Sequence, residues 1–209
     1  MKSYLLLTLF ASGVPWLGDA RAQEPSLPQR AFSVQADIGP YFFRSLSPFY
    51  QTTSKAYPSL MFSIGLSPSF DLSLRGTYLW LREVGSATEY LPNPFRSYTY
   101  PVSSNYDEFL GVVDIEYRLP ISTAVEVDIG GGPAVAYVEE AVFLAGPINY
   151  ITAFGFSLGA QLEVTPEPIP VSLILRIEAN YEPRPSRGLS TSYGGELVSV
   201  GLRYSISTE

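Results

Sequence analysis

The chain has 209 residues, of which 46% are hydrophobic, 14% aromatic and only 16% charged, with no His and no Cys. That length suits one domain or a single barrel, and the composition excludes a disordered chain and a disulfide scaffold. A net charge of −7 and only two lysines, Lys2 and Lys55, leave no basic face for phosphate, which excludes nucleic acid as a partner.

The N-terminus reads as an address. A short positive start, Met1 to Tyr4, precedes an apolar stretch from Leu5 to Leu17. Asp19-Ala20-Arg21-Ala22 then fits an A-x-A cleavage site before Gln23, the layout of a secretory signal peptide over 1–22. The apolar run is shorter than the roughly 20 residues a spanning helix needs. Cleavage removes Lys2, Arg21 and Asp19, taking the net charge from −7 to −8. Residues 23–30, with Pro25 and Pro28, read as a linker, and 31–206 as the folded domain.

From Phe32 the apolar period is two. Phe32, Val34, Ala36 and Ile38 form the first apolar face, Leu60, Phe62, Ile64 and Leu66 the second. Phe70, Leu72, Leu74, Tyr78 and Trp80 oppose Asp71, Ser73, Arg75 and Thr77 in the third run. The fourth sets Phe109, Val113, Ile115 and Tyr117 against Asp114, Glu116 and Arg118. Val125, Val127, Ile129, Val135 and Tyr137 oppose Glu126 and Asp128 in the fifth. The sixth sets Phe154, Phe156, Leu158 and Leu162 against Gln161 and Glu163. Leu173, Leu175, Ile177 and Tyr181 then oppose Arg176, Glu178 and Asn180, and Val198, Val200, Leu202 and Tyr204 oppose Arg203. Side chains alternate faces on a strand, so these runs predict eight strands. Short connections at Ser67-Pro68-Ser69, Pro120–Thr123 and Pro166-Glu167-Pro168 alternate with long ones near 44–58, 83–107, 139–152 and 182–196. That rhythm is an up-and-down meander with tight turns on one rim.

Alternation alone also fits a soluble sandwich. Runs of about ten residues, aromatic strand ends, small residues on the polar faces and the export signal favour a membrane barrel. Arg on the lipid face costs about 2–4 kcal/mol at the midplane, so the charged faces must point inward. The expected fold is all-β: an eight-stranded antiparallel up-and-down transmembrane β-barrel with a polar, side-chain-filled interior.

Residues 31–206 resemble the small eight-stranded outer-membrane barrels of Gram-negative bacteria, the group that includes the OmpA transmembrane domain, OmpX and OmpW. The signal peptide, the eight runs, the alternating connections and the aromatic ends carry the likeness. It implies an outer-membrane location, lipid around the barrel, a monomer, and surface ligands or proteins met through the long loops. Barrels of this kind often end on an aromatic residue, whereas here Tyr204-Ser205-Ile206 is followed by Ser207-Thr208-Glu209. Enzymes among outer-membrane barrels resemble one another in using a catalytic His, which this chain lacks.

Inside the barrel the sequence predicts a charge network of Arg75, Asp114, Glu116, Arg118, Glu126, Asp128, Glu163, Arg176, Glu178 and Arg203. A three-residue turn centred on Ser122 would set Arg118 opposite Glu126 and Glu116 opposite Asp128. Reading Asp114, Glu116, Glu126 and Asp128 as an acid/base pair for glycoside chemistry is the alternative. Gly130-Gly131-Gly132-Pro133 lacks the Lys and helix of a phosphate loop. Asp107-Glu108 and Glu139-Glu140, without calcium-loop spacing, read as solvated loop charge rather than as a divalent-cation site at the rim. No catalytic, cofactor or metal site is expected. Tyr90, Phe95, Tyr98, Tyr100 and Tyr106, stiffened by Pro92, Pro94 and Pro101, are the candidate loop contacts, the equal alternative being rings that extend the sheet above the membrane or touch lipid headgroups. The leading function is a non-enzymatic envelope or surface-interaction barrel. A narrow conduit for small, even apolar, solutes and a soluble periplasmic ligand-binding β-domain are the alternatives.

Overall fold

Alternating runs become strands because a strand turns successive side chains to opposite faces. The computed structural model describes residues 30–43, 54–90, 97–142, 148–166, 169–183 and 192–207, so the signal-peptide segment lies outside the described residues. The strands are β1 (Arg30–Phe43), β2 (Ser54–Ser67), β3 (Phe70–Tyr90), β4 (Ser97–Pro120), β5 (Val125–Val142), β6 (Asn149–Val164), β7 (Val171–Pro183), β8 (Ser192–Tyr193) and β9 (Gly195–Ser207). All ladders are antiparallel. Each strand from β1 to β7 pairs with the next, β7 pairs with β9, and β9 returns to β1. The sheet is a closed barrel of eight staves. The two-residue β8 only caps β7, and Gly194, at φ 102°, makes the turn from it into β9 at no steric cost.

Following partners round the ring leads from Phe32 through Ile64, Leu72, Ile115, Gly131, Leu158, Ala179 and Glu196 back to β1 at Phe42. The stagger is therefore 42 minus 32, or ten residues. For eight strands this gives a tilt of about 40° and an interior that side chains just fill. Leu74, Ile115, Leu173 and Val200 point outward, each more than half exposed, and Phe154 is 73% exposed. Gln35, Asp71, Arg75 and Arg203 point inward and are buried.

Three local features differ from the sequence reading. Arg30, read as the last linker residue, is the first residue of β1. The register slips between Arg30 and Phe32, and this bulge turns Arg30 inward although it shares parity with exposed Phe32. Next, the β4–β5 turn is centred on Thr123. Pro120 has no N–H, and Ile121 closes the hairpin by donating to the Val125 carbonyl at 2.9 Å. Moving the centre by one residue moves the register by two, so Arg118 faces Asp128 and Glu116 faces Gly130. Last, much of the sequence read as long loops is strand. β2 starts at Ser54, β5 reaches Val142, and β3 and β4 pair out to Tyr90 and Ser97. Beyond the apolar band neither face of a hairpin must be apolar, so no period marks these residues.

Candidate functional site

Five arginines from five strands converge on the lumen in two linked tiers. In the tier nearer the short turns, Arg30 of β1 contacts Asp71 at 3.1 Å, Glu163 at 2.8 Å and Asp128 at 3.9 Å, and it also bonds Glu126. Arg118 donates to Glu126 at 3.0 Å and to the Pro68 carbonyl at 3.2 Å, which ties the network to the β2–β3 turn. Arg203 of β9 reaches Asp128 at 3.0 Å, Glu163 at 2.8 Å and the Gln35 amide oxygen at 2.9 Å. In the next tier Arg176 holds Glu178 at 3.0 Å, Asp114 at 3.3 Å and Glu116 at 3.4 Å. Arg75 pairs with Glu178 and lies 3.8 Å from Asp114. Glu116 links the tiers, since Arg203 also approaches it at 3.7 Å.

Every one of these side chains is buried. A buried charge is tolerable only when paired and hydrogen-bonded, and here each guanidinium serves at least two acceptors. Gly130 makes room for the link: a Cβ there would meet the Glu116 Cγ at 2.7 Å and the Ile115 carbonyl at 2.9 Å. Arg30 and Asp71 belong to this cluster although the candidate network omitted both. Sequence parity marked Asp71, but the bulge hid Arg30.

The four carboxylates of the glycoside reading are closed off among the arginines. Asp114, Glu116, Glu126 and Asp128 are each 7% exposed or less and engaged with arginines. Carboxylate oxygens of Glu126, Asp128 and Glu163 come within 4.8 Å of one another, but Arg30 and Arg203 already supply the positive charge between them.

The other half of the lumen is lined mainly by apolar and aromatic side chains. Leu79, Leu81, Leu110, Val138, Ile151 and Leu197 pack there with Tyr41, Phe43, Tyr57 and Tyr106. Phe43 is the hub, with ring centroids 5.0 Å from Tyr41, 6.1 Å from Tyr57 and 5.6 Å from Tyr106. The two acidic dipeptides are split across the wall: Glu108 and Glu140 are buried inside, whereas Asp107 and Glu139 face outward. Asp107 accepts from Arg82 at 2.5 Å and from Tyr78 at 2.7 Å on the outer rim. Tyr106 is not a loop contact: it is fully buried and donates to Glu108. Tyr90, Tyr98 and Tyr100 lie in the β3–β4 ladder rather than in a loop, and Phe95 falls outside the described residues.

No protein-family model and no curated protein matches the chain. Solved structures do. OprG from Pseudomonas aeruginosa superposes with a TM-score of 0.60 at 8% identity, covering 88% of this chain and 99% of that one. The chain has the fold of the small eight-stranded outer-membrane barrels. Neisserial surface protein A gives 0.57 at 15% identity, covering 84% and 97%. The N-terminal barrel domain of Pseudomonas aeruginosa OprF gives 0.51 at 10%, covering 85% and 99%. At such identities no side chain transfers, so the lumen described above is this barrel's own.

Proposed function

We propose that the chain is a non-enzymatic outer-membrane barrel, exported by a signal peptide over 1–22, that serves envelope integrity or surface contact. One observation carries this reading: a closed ring with isoleucine, leucine and phenylalanine outside and a network of arginines and carboxylates inside. Water would leave that exterior as an apolar surface far larger than soluble monomers expose, whereas hydrocarbon matches it. The short turns then face the periplasm and the longer connections the exterior. The β3–β4 hairpin, built from the two longest of the described strands, is the surface offered to ligands or proteins. A chain without His or Cys, whose lumen acids are shut from solvent, supports a role without catalysis. The ionic tiers and the apolar chamber argue against a steady conduit for solutes.

Fractionation with a heat-shift gel tests the proposal. The chain should require detergent for extraction, and its unheated band should migrate differently from the boiled one. Recovery in the aqueous periplasmic fraction would overturn it.

A further inference from the structure

The β2–β3 ladder stops short of the strands that form it. Its partners run from the tight turn up to Ser59 and Thr77, whose hydroxyls pair at 3.2 Å. Beyond them, residues 54–58 of β2 still pair with β1, and residues 78–82 of β3 still pair with β4. Among the described residues, no ladder partner joins these two stretches to each other. Pro58 stands at the break and carries no N–H. The break covers about 17 Å of strand and lies in the half of the barrel toward the long connections.

Backbone polar groups inside hydrocarbon must be satisfied within the protein, and here side chains take over from the ladder. The Tyr57 hydroxyl donates to the Trp80 carbonyl at 2.9 Å, and Arg82 donates to the Leu81 carbonyl at 2.9 Å. Tyr57 faces inward and is fully buried, whereas Trp80 sits on the outer face. Their rings nevertheless meet edge to face, with centroids 5.2 Å apart. A continuous ladder would hold those two side chains on opposite faces of the wall. The Tyr57 ring therefore fills the break from inside, while Tyr78 stacks on Trp80 at 5.5 Å outside. Leu79, Leu81 and Tyr106 of the chamber stand behind it.

We propose that the break is a latched opening: the long-loop half of the barrel parts between β2 and β3, and Tyr57 is the latch. Parting gives up the Tyr57 bond and its contact with Trp80, while the ladders on either side are kept. It turns the leucines of the chamber toward hydrocarbon, an exchange between two apolar surroundings. The short-turn half stays shut. There Ser63 bonds Ser73 across the same two strands at 2.9 Å, and Arg30 of β1 spans β2 to hold Asp71 of β3 at 3.1 Å. The proposal rests on the membrane placement above.

The test uses the full chain in phospholipid vesicles, with nitroxide labels on introduced cysteines, the chain having none of its own. One pair, Phe42→Cys with Phe109→Cys, lies on the outer face of β1 and β4 and spans the break. The other, Phe109→Cys with Phe154→Cys, spans the ladders on either side of β5. Distances between the nitroxides are read by double electron–electron resonance. The first pair should show two populations, and Tyr57→Phe, which lacks the hydroxyl, should at least double the longer one. The second pair should give one distance in both backgrounds. A single distance for the first pair in the wild-type background would overturn the latch whatever the variant does. A longer population that Tyr57→Phe leaves unchanged would also overturn it, as would equal broadening of the second pair, which would mean a barrel loosened throughout. Insertion is read by the heat shift: a chain that never inserts overturns the membrane reading as well, whereas an inserted barrel with one fixed distance overturns the latch alone.

Discussion

Arg30 and Glu163 are 133 positions apart in sequence and 2.8 Å apart across the lumen. Arg203 holds the same Glu163 oxygen at 2.8 Å. Because β1 and β9 form the closing ladder of the ring, one carboxylate on β6 fastens both strands of the seam.

Removing Arg30 should therefore cost more than removing a surface cation. Arg30→Ala leaves Asp71, Glu126 and Glu163 short of a partner, and the expected loss is about 3–5 kcal/mol. Urea unfolding of the reconstituted barrel measures it. A midpoint unchanged from wild type would show that Arg30 carries no such role.

Reversing a charge should be harsher still. Arg118→Glu sets a new carboxylate beside Glu126 and Asp71 in a buried site. Folded yield, read as the heat-shifted fraction on a gel, should collapse. A wild-type yield would remove the case for a coupled network.

On the outer face the sign of a substitution depends on the surroundings. Leu74, 57% exposed, lies midway between Phe70 and Tyr78 on the outer face of β3. Leu74→Arg should destabilise the inserted barrel by about 2–4 kcal/mol. The same change on a water-facing strand would be nearly neutral, so equilibrium unfolding in vesicles separates the two settings.

Packing beside the network gives a steric prediction. A side chain at Gly130 would strike Glu116 and the β4 backbone, and Gly130→Val should cost about 1–3 kcal/mol. Gly111→Ala is the control, since its Cβ would meet Val135 at an ordinary 3.5 Å. Equal thermal midpoints for the two variants would contradict the close approach.

Much of this architecture is legible in the sequence, and the reason is the pleat. Arg75, Glu116, Arg176 and Arg203 fall on one parity of their strands, and a one-residue slip would have exposed them all. What escaped was whatever breaks or outruns that parity. The bulge between Arg30 and Phe32 inverts a face without a Gly or Pro to announce it. The turn centre at Thr123 depends on which backbone group closes the hairpin, a choice that Pro120 biases but composition does not reveal. Leu79, Leu81 and Leu110 lie on the inward parity but are apolar, so the chamber they build could not be told from an outward face by hydropathy alone.

Trp80 is the sole tryptophan after residue 22, and it sits on the outer face at the long-loop end of the apolar band. Its fluorescence in vesicles of brominated phospholipid reports directly whether the outer face contacts hydrocarbon. Refolded barrel should show blue-shifted emission strongly quenched by bromine on the acyl chains. Emission that stays red-shifted and unquenched, in a chain that otherwise shows strand circular dichroism, would contradict a barrel set in lipid.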